Sequence, residues 1–196
     1  MDMEYTSLTS LSAKNRDVLY DAKNSGVLIV RDSFIVEQKT LTLLAGCSWI
    51  LKDHQEINNG QEHFVPTIGD IALQQKIRKF LEKAADIKKI LIDGDSTGII
   101  EYGFTRYPVS TQGALYHKDF SKNKNCIVTF FFGPTTFCVA DNKTGLYERR
   151  YEIQPGDILL MRGPRDDSER EKALRPIHKI GKVPQILYTL EIREID

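Results

Sequence analysis

Short β-branched and aromatic runs separated by turn residues fill the chain from residue 125 onward and restrict it to a fold of many short strands. The run at 125–133 reads NCIVTFFFG, and TTFCVA at 135–140 follows a Gly-Pro break. The stretch LYERRYEI at 146–153 alternates polar with apolar. PGDILLMRG at 155–163 opens at a turn, carries four consecutive apolar residues and closes at Gly163-Pro164. Such residues fit a pleated, half-buried surface, and the Gly and Pro punctuation bounds each strand. The economical way to close so many strands around one interior is two packed antiparallel sheets, a jelly roll (double-stranded β-helix). Phe130, Phe131 and Phe132 alternate faces, which predicts at least one ring in the core and another packed under the helices, rather than a base-stacking platform.

The first half of the chain reads differently. A short helical pattern surrounds AKNRDVLYDAK, Val27–Arg31 reads as a strand, and VEQKTLTLLAGCSWIL has apolar residues at helical spacing, with Leu41, Leu44 and Trp49 as candidate core. DIALQQKIRKFLEKAADI is an amphipathic helix with a solvated Lys-rich face. The polar, Gly-containing stretch 52–67 between the helices reads as a lid or substrate-recognition loop. The fold class is therefore mainly β with flanking helices. A single domain spans 1–196, with 1–98 supplying helical support and an entry strand and 99–196 the jelly-roll core.

Composition bounds the function. A chain of 196 residues that is 41% hydrophobic and 28% charged can bury a sizeable core. No apolar run approaches the roughly 18 residues of a membrane span, and the acidic N-terminus lacks the basic and apolar blocks of a signal peptide. An intracellular protein, cytoplasmic or nuclear, is expected. Cys47, Cys126 and Cys138 are odd in number and widely spaced, so reduced core thiols are expected rather than disulfides or zinc ligands.

The chemistry concentrates in four positions. His117-x-Asp119 in ALYHKDF offers an imidazole and a carboxylate two residues apart, which on an extended strand point to one side. His178 in RPIHKI returns after several strands, and Arg193 follows 15 positions later. Two imidazoles and one carboxylate hold one face of a non-haem Fe(II) and leave the other open. A guanidinium can grip the far carboxylate of a 2-oxo acid with two parallel hydrogen bonds. An isolated H-x-D is common on solvated strand ends; the surrounding strands are what bring these four into one pocket. His54 and His63, without partners at ligand spacing, read as surface or substrate-loop residues.

The order H-x-D, strands, GDILLMRG, a charged loop, RPIHKI and a terminal strand with Arg193 resembles the Fe(II)/2-oxoglutarate-dependent dioxygenases over about residues 99–194. It is most similar to the AlkB-like branch, with a His-to-Arg interval like that of the TET and base-J-type thymine hydroxylases. The resemblance implies His117, Asp119 and His178 as iron ligands and catalytic centre, and Arg193, Tyr107 and Thr189 as residues that bind 2-oxoglutarate. Tyr107 in FTRYPVS matches the tyrosine of an N-R-Y motif whose asparagine is here Thr105. A second family arginine, six positions before the last, is here Leu187.

The implied cofactors are Fe(II), 2-oxoglutarate as co-substrate, and O2. The implied reaction couples decarboxylation of 2-oxoglutarate to hydroxylation of a C–H bond, with loss of formaldehyde where that carbon is a methyl on nitrogen. For the substrate, AlkB-like kinship implies a nucleobase in DNA or RNA, flipped from its stack into the pocket. Against it stand 27 basic and 27 acidic residues, a balance without the cationic field of a strong nucleic-acid binder. A protein side chain or a small metabolite is the alternative substrate class. A non-catalytic jelly-roll binding protein is the third reading, motivated by Leu187.

Overall fold

The computed structural model describes residues 5–21, 23–51, 61–64, 71–92, 99–109, 113–119 and 122–195. Its scaffold is a jelly roll of two facing sheets. The larger contains, in spatial order, β1 (Tyr5–Ser7), β2 (Val27–Arg31), β9 (Ile158–Arg162), β6 (Asn123–Phe131), β11 (Leu187–Ile195), β5 (Ile99–Tyr107), β4 (Glu62–Phe64) and β3 (Ile50–Leu51). The smaller contains β10 (Ile177–Ile180), β7 (Thr135–Ala140) and β8 (Arg149–Ile153). All neighbouring strands run antiparallel except β1 and β2.

Alternation along the strands sorts side chains into two cores. Phe130, Phe132, Val128, Leu160 and Leu190 leave the outer face of the large sheet and pack against α1 (Ala13–Tyr20), α2 (Gln38–Ala45) and α3 (Ile71–Leu91) through Leu19, Leu44, Ile77 and Ile87. Phe131, Ile127, Leu159 and Met161 leave the inner face and meet Phe137, Val139, Tyr151 and Ile153 of the small sheet. The Phe block thus divides between both cores, and each buried large apolar side chain contributes roughly 1.5–3 kcal/mol. Phe80 on α3 lies edge-on to Phe130 at 5.0 Å, which fixes the helix layer onto the sheet.

The structure departs from the sequence reading in the first half. The helix expected through residue 51 stops at Ala45, and Gly46 caps it by donating its N–H to the Thr42 and Leu43 carbonyls. Trp49 reaches the core after this turn, its Nε1 donating to Leu44 O at 2.9 Å, and the chain enters strand β3. Of the stretch expected as a loop at 52–67, residues 61–64 carry β4, which pairs with β5; the remainder, including His54, lies outside the described residues. The Lys-rich face of α3 is not wholly solvated. Lys88 is buried, with its Nζ 3.9 Å from Glu194 of β11.

A second buried ion pair closes the end of the sandwich nearest His178. Arg162, at the end of β9, is almost wholly buried and donates Nη2 to both carboxylate oxygens of Glu171, at 2.8 and 2.9 Å, and Nη1 to Tyr20 O at 2.7 Å. Glu171 sits in α4 (Glu169–Ala173), so one guanidinium joins α1, β9 and α4. Removing one partner of such a pair strands the other charge. Glu171→Leu should therefore lower stability by about 3–5 kcal/mol in urea unfolding, and Arg162→Met added to it should recover much of that loss. A single-variant loss under about 1 kcal/mol would show that the pair does not tie these elements.

Candidate metal centre

His117 and His178 face one another across an antiparallel bridge. The His117 N–H donates to His178 O at 3.0 Å and the His178 N–H to His117 O at 2.9 Å. Three residues upstream of Tyr116, Gly113 adopts φ +67° close against the same strand: a Cβ there would stand 2.2 Å from Ile180 O, so only glycine lets the two backbones approach. The two imidazole centroids are 4.4 Å apart, and the His178 ring stacks on Phe137 at 5.4 Å.

Each ring is oriented by its own chain. His117 Nδ1 lies 2.7 Å from Leu115 O and His178 Nδ1 lies 3.2 Å from Pro176 O. A carbonyl only accepts, so both Nδ1 atoms carry the proton and both Nε2 atoms present a lone pair. These Nε2 atoms lie 3.7 and 3.9 Å from Asp119 Oδ1, and the ligand atoms of the three residues all fall within 4.8 Å of one another. Asp119 is not on a regular strand as the sequence suggested. Its loop is held by Arg175, whose guanidinium donates to Asp119 O, and by Lys118 Nζ, which donates to Ala173 O at 2.8 Å.

Burial lowers the His117 pKa to about 4, helped by the neighbouring His178 and opposed by Asp119. The ring is thus neutral at pH 7, the state in which imidazole binds a metal. Two imidazoles oriented through Nδ1 and one carboxylate, converging from one side, fit a facially bound divalent ion. Among the described residues no other group of three His, Cys, Asp or Glu converges this way. Cys126 and Cys138 are buried free thiols and Cys47 is partly buried, as expected.

The cluster opens into a cavity of about 450 Å³ between the sheets. All six residues singled out from the sequence, His117, Asp119, His178, Tyr107, Thr189 and Arg193, line it. Thr189, Glu191 and Arg193 do so because alternate residues of β11 share the inner face, and Tyr107 joins them from β5, opposite Leu187. Leu187 packs in the apolar core between the sheets. Tyr107 is held protonated, because burial and the charges of Glu191 and Asp119 raise its pKa, and so it remains a hydrogen-bond donor.

Arg193 sits where the β11–β6 register shifts, a kind of irregularity that re-aims side chains near functional sites. Its guanidinium is paired with Glu191, and its Nη1 lies 3.9 Å from Glu101 Oε2. Glu191, Glu101 and Asp119 hold it firmly protonated. Glu191 was not anticipated, although its place two residues before Arg193 puts it on the same face by strand periodicity. Gln61 and His63 also line the cavity. Gly103 makes room for His63, since a Cβ there would lie 2.5 Å from the ring. The Gln61 side-chain Nε2 is buried without a hydrogen-bond partner, and no sequence signal marked it.

No protein-family model matches the sequence and no curated protein matches it. Solved structures do share the fold. A prolyl hydroxylase from Trichoplax adhaerens, in complex with a hypoxia inducible factor oxygen degradation domain peptide fragment, superposes with a TM-score of 0.60 at 12% identity, covering 94% of this chain and 90% of that one. The dioxygenase for auxin oxidation 1 from Arabidopsis thaliana, in a binary complex with 2-oxoglutarate, gives 0.61 at 12% identity, covering 98% and 92%. A Pseudomonas putida prolyl-4-hydroxylase gives 0.59 at 11% identity, covering 92% and 97%.

The depressed pKa of His117 has a measurable consequence. The unfolded ring protonates near pH 6.5 and the folded ring near 4, so between these values the unfolded chain binds more protons and stability falls as pH falls. The metal-free protein should lose urea resistance from pH 7 to pH 5, and His117→Gln should flatten that loss. An equally steep decline in the variant would remove His117 as a cause.

Proposed function

We propose that this chain is an Fe(II)- and 2-oxoglutarate-dependent dioxygenase. The observation that carries the reading is the convergence of His117, Asp119, His178 and Arg193 on one cavity between the sheets. His117 and His178, through Nε2, and Asp119, through its carboxylate, would hold the iron. Arg193 would take the distal carboxylate of 2-oxoglutarate, exchanging Glu191 for it, with the Tyr107 hydroxyl donating to the co-substrate and Thr189 lining its site. Bound Fe(II) would supply O2 activation coupled to decarboxylation of 2-oxoglutarate to succinate and CO2, and hydroxylation of a substrate C–H. The walls Ile127, Phe131, Leu159 and Met161 keep water from that region.

For the substrate, the AlkB-like resemblance supports a nucleobase in DNA or RNA, hydroxylated or oxidatively demethylated. Lys118 and Lys122 line the cavity, and Arg175 and Lys143 lie near enough to Lys118 that, after burial, their charges lower its pKa. Such a cluster suits a phosphate backbone crossing the mouth. The second reading is a protein side chain or small metabolite; it is supported by the similar structures, which include a prolyl hydroxylase in complex with a peptide fragment and a dioxygenase for auxin oxidation.

Succinate formation separates these readings. Arg193→Met should raise the 2-oxoglutarate concentration needed for half-maximal turnover at least ~10-fold, or about 1.4 kcal/mol of lost binding; an unchanged requirement removes Arg193 from the co-substrate site. N-methylated single-stranded oligonucleotides should stimulate turnover, with a stimulation that declines steeply as salt rises. Stimulation by peptides and none by oligonucleotides would assign the second reading.

A further inference from the structure

We propose that Glu148 is a positioning residue for the metal centre: its carboxylate clamps together, from behind, the two segments that carry His117 and His178. The proposal rests on the metal-binding reading above. The antiparallel register that sets His117 opposite His178 sets Tyr116 opposite Lys179, and alternation sends these two side chains to the face away from the imidazoles. There Lys179 Nζ lies 4.4 Å from the Tyr116 ring centroid and donates to Glu148 Oε2 at 2.8 Å. The Tyr116 hydroxyl donates to the same oxygen, and Arg150 Nε to Oε1. One carboxylate therefore collects three donors, from the His117 segment, β10 and β8.

The clamp is built rather than incidental. Glu148 ends the 141–148 turn, whose shape is set by Asn142 Oδ1 accepting from Thr144 N at 3.0 Å and Leu146 N at 3.1 Å, and by Asp141 N donating to Leu146 O at 2.9 Å. Tyr116 rests on this turn: a Cβ at Gly145, where φ is +85°, would come within 3.0 Å of its ring. An isolated surface ion pair is worth about 0–1 kcal/mol and would not matter. Here the Glu148 side chain is only 16% exposed and its donors form a network. The need for a clamp is equally plain, because among the described residues His117 meets β10 through an isolated bridge instead of a continuous ladder.

Cobalt(II) titration of the whole chain, followed by the visible d–d absorption, tests this alongside the melting temperature of the metal-free protein. Glu148→Ala should weaken cobalt binding about 10-fold or more, as expected for groups that orient ligands, while the metal-free melting temperature moves by only a few degrees. Glu148→Gln, which still accepts from Tyr116, should fall between. Tyr116→Phe, which keeps the ring and loses one donor, carries the test if Glu148→Ala does not fold. Glu37→Gln, which breaks a remote pair with Lys76, should change neither quantity. Unchanged cobalt affinity and spectrum in the Glu148 and Tyr116 variants, or affinity lost only in step with the melting temperature, would overturn the proposal. If the parent protein itself binds no cobalt, the metal-binding reading fails and this proposal with it.

Discussion

Two reciprocal backbone hydrogen bonds between His117 and His178 join segments from opposite ends of the jelly-roll sequence. They bring two imidazoles within 4.4 Å of each other, centroid to centroid, on one side of the bridge and leave Tyr116 and Lys179 on the other. Everything the centre can do depends on this juxtaposition, since among the described residues neither histidine has a metal-binding partner beyond the other and Asp119. The sheets exist, in this sense, to hold the bridge. The large sheet carries the cavity floor, the small sheet carries His178, and the apolar layer between them sets their separation.

Strand β11 shows how a single period-2 pattern grades the cavity. Leu187, Thr189, Glu191 and Arg193 share its inner face and run from the apolar core to the charged end of the pocket. With Arg193 in place, an internal carboxylate already neutralises the guanidinium. A dicarboxylate held by Arg193, as proposed, would have to replace Glu191 in that pair. Leu187, where the AlkB-like enzymes that the sequence resembles carry a second arginine, is consistent with this grading: a charge there would stand among Val183 and Phe137 without a partner.

The strands after residue 99 were legible because turn residues bound them and because buried strands need β-branched and aromatic side chains. The convergence of His117, Asp119 and His178 was legible because their residue types and order are restrictive. What escaped was set by tertiary pairing. Ile50–Leu51 and Glu62–Phe64 are too short to announce themselves and exist through pairing onto the edge of β5. Lys88 looked solvated on a helical wheel and is buried because Glu194 of β11 meets it. Gln61 has a polar neighbourhood in sequence and a buried one in space. Asp119 left the expected strand because Arg175, from a segment far along the chain, holds its backbone.

The most direct measurement is anaerobic Fe(II) titration in the presence and absence of 2-oxoglutarate, followed by visible absorption, with His178→Ala in parallel. An iron site at His117, Asp119 and His178 predicts a weak charge-transfer band that requires both iron and 2-oxoglutarate and vanishes in the variant. A folded parent protein that gives no such band, or a band that persists undiminished in His178→Ala, would contradict it.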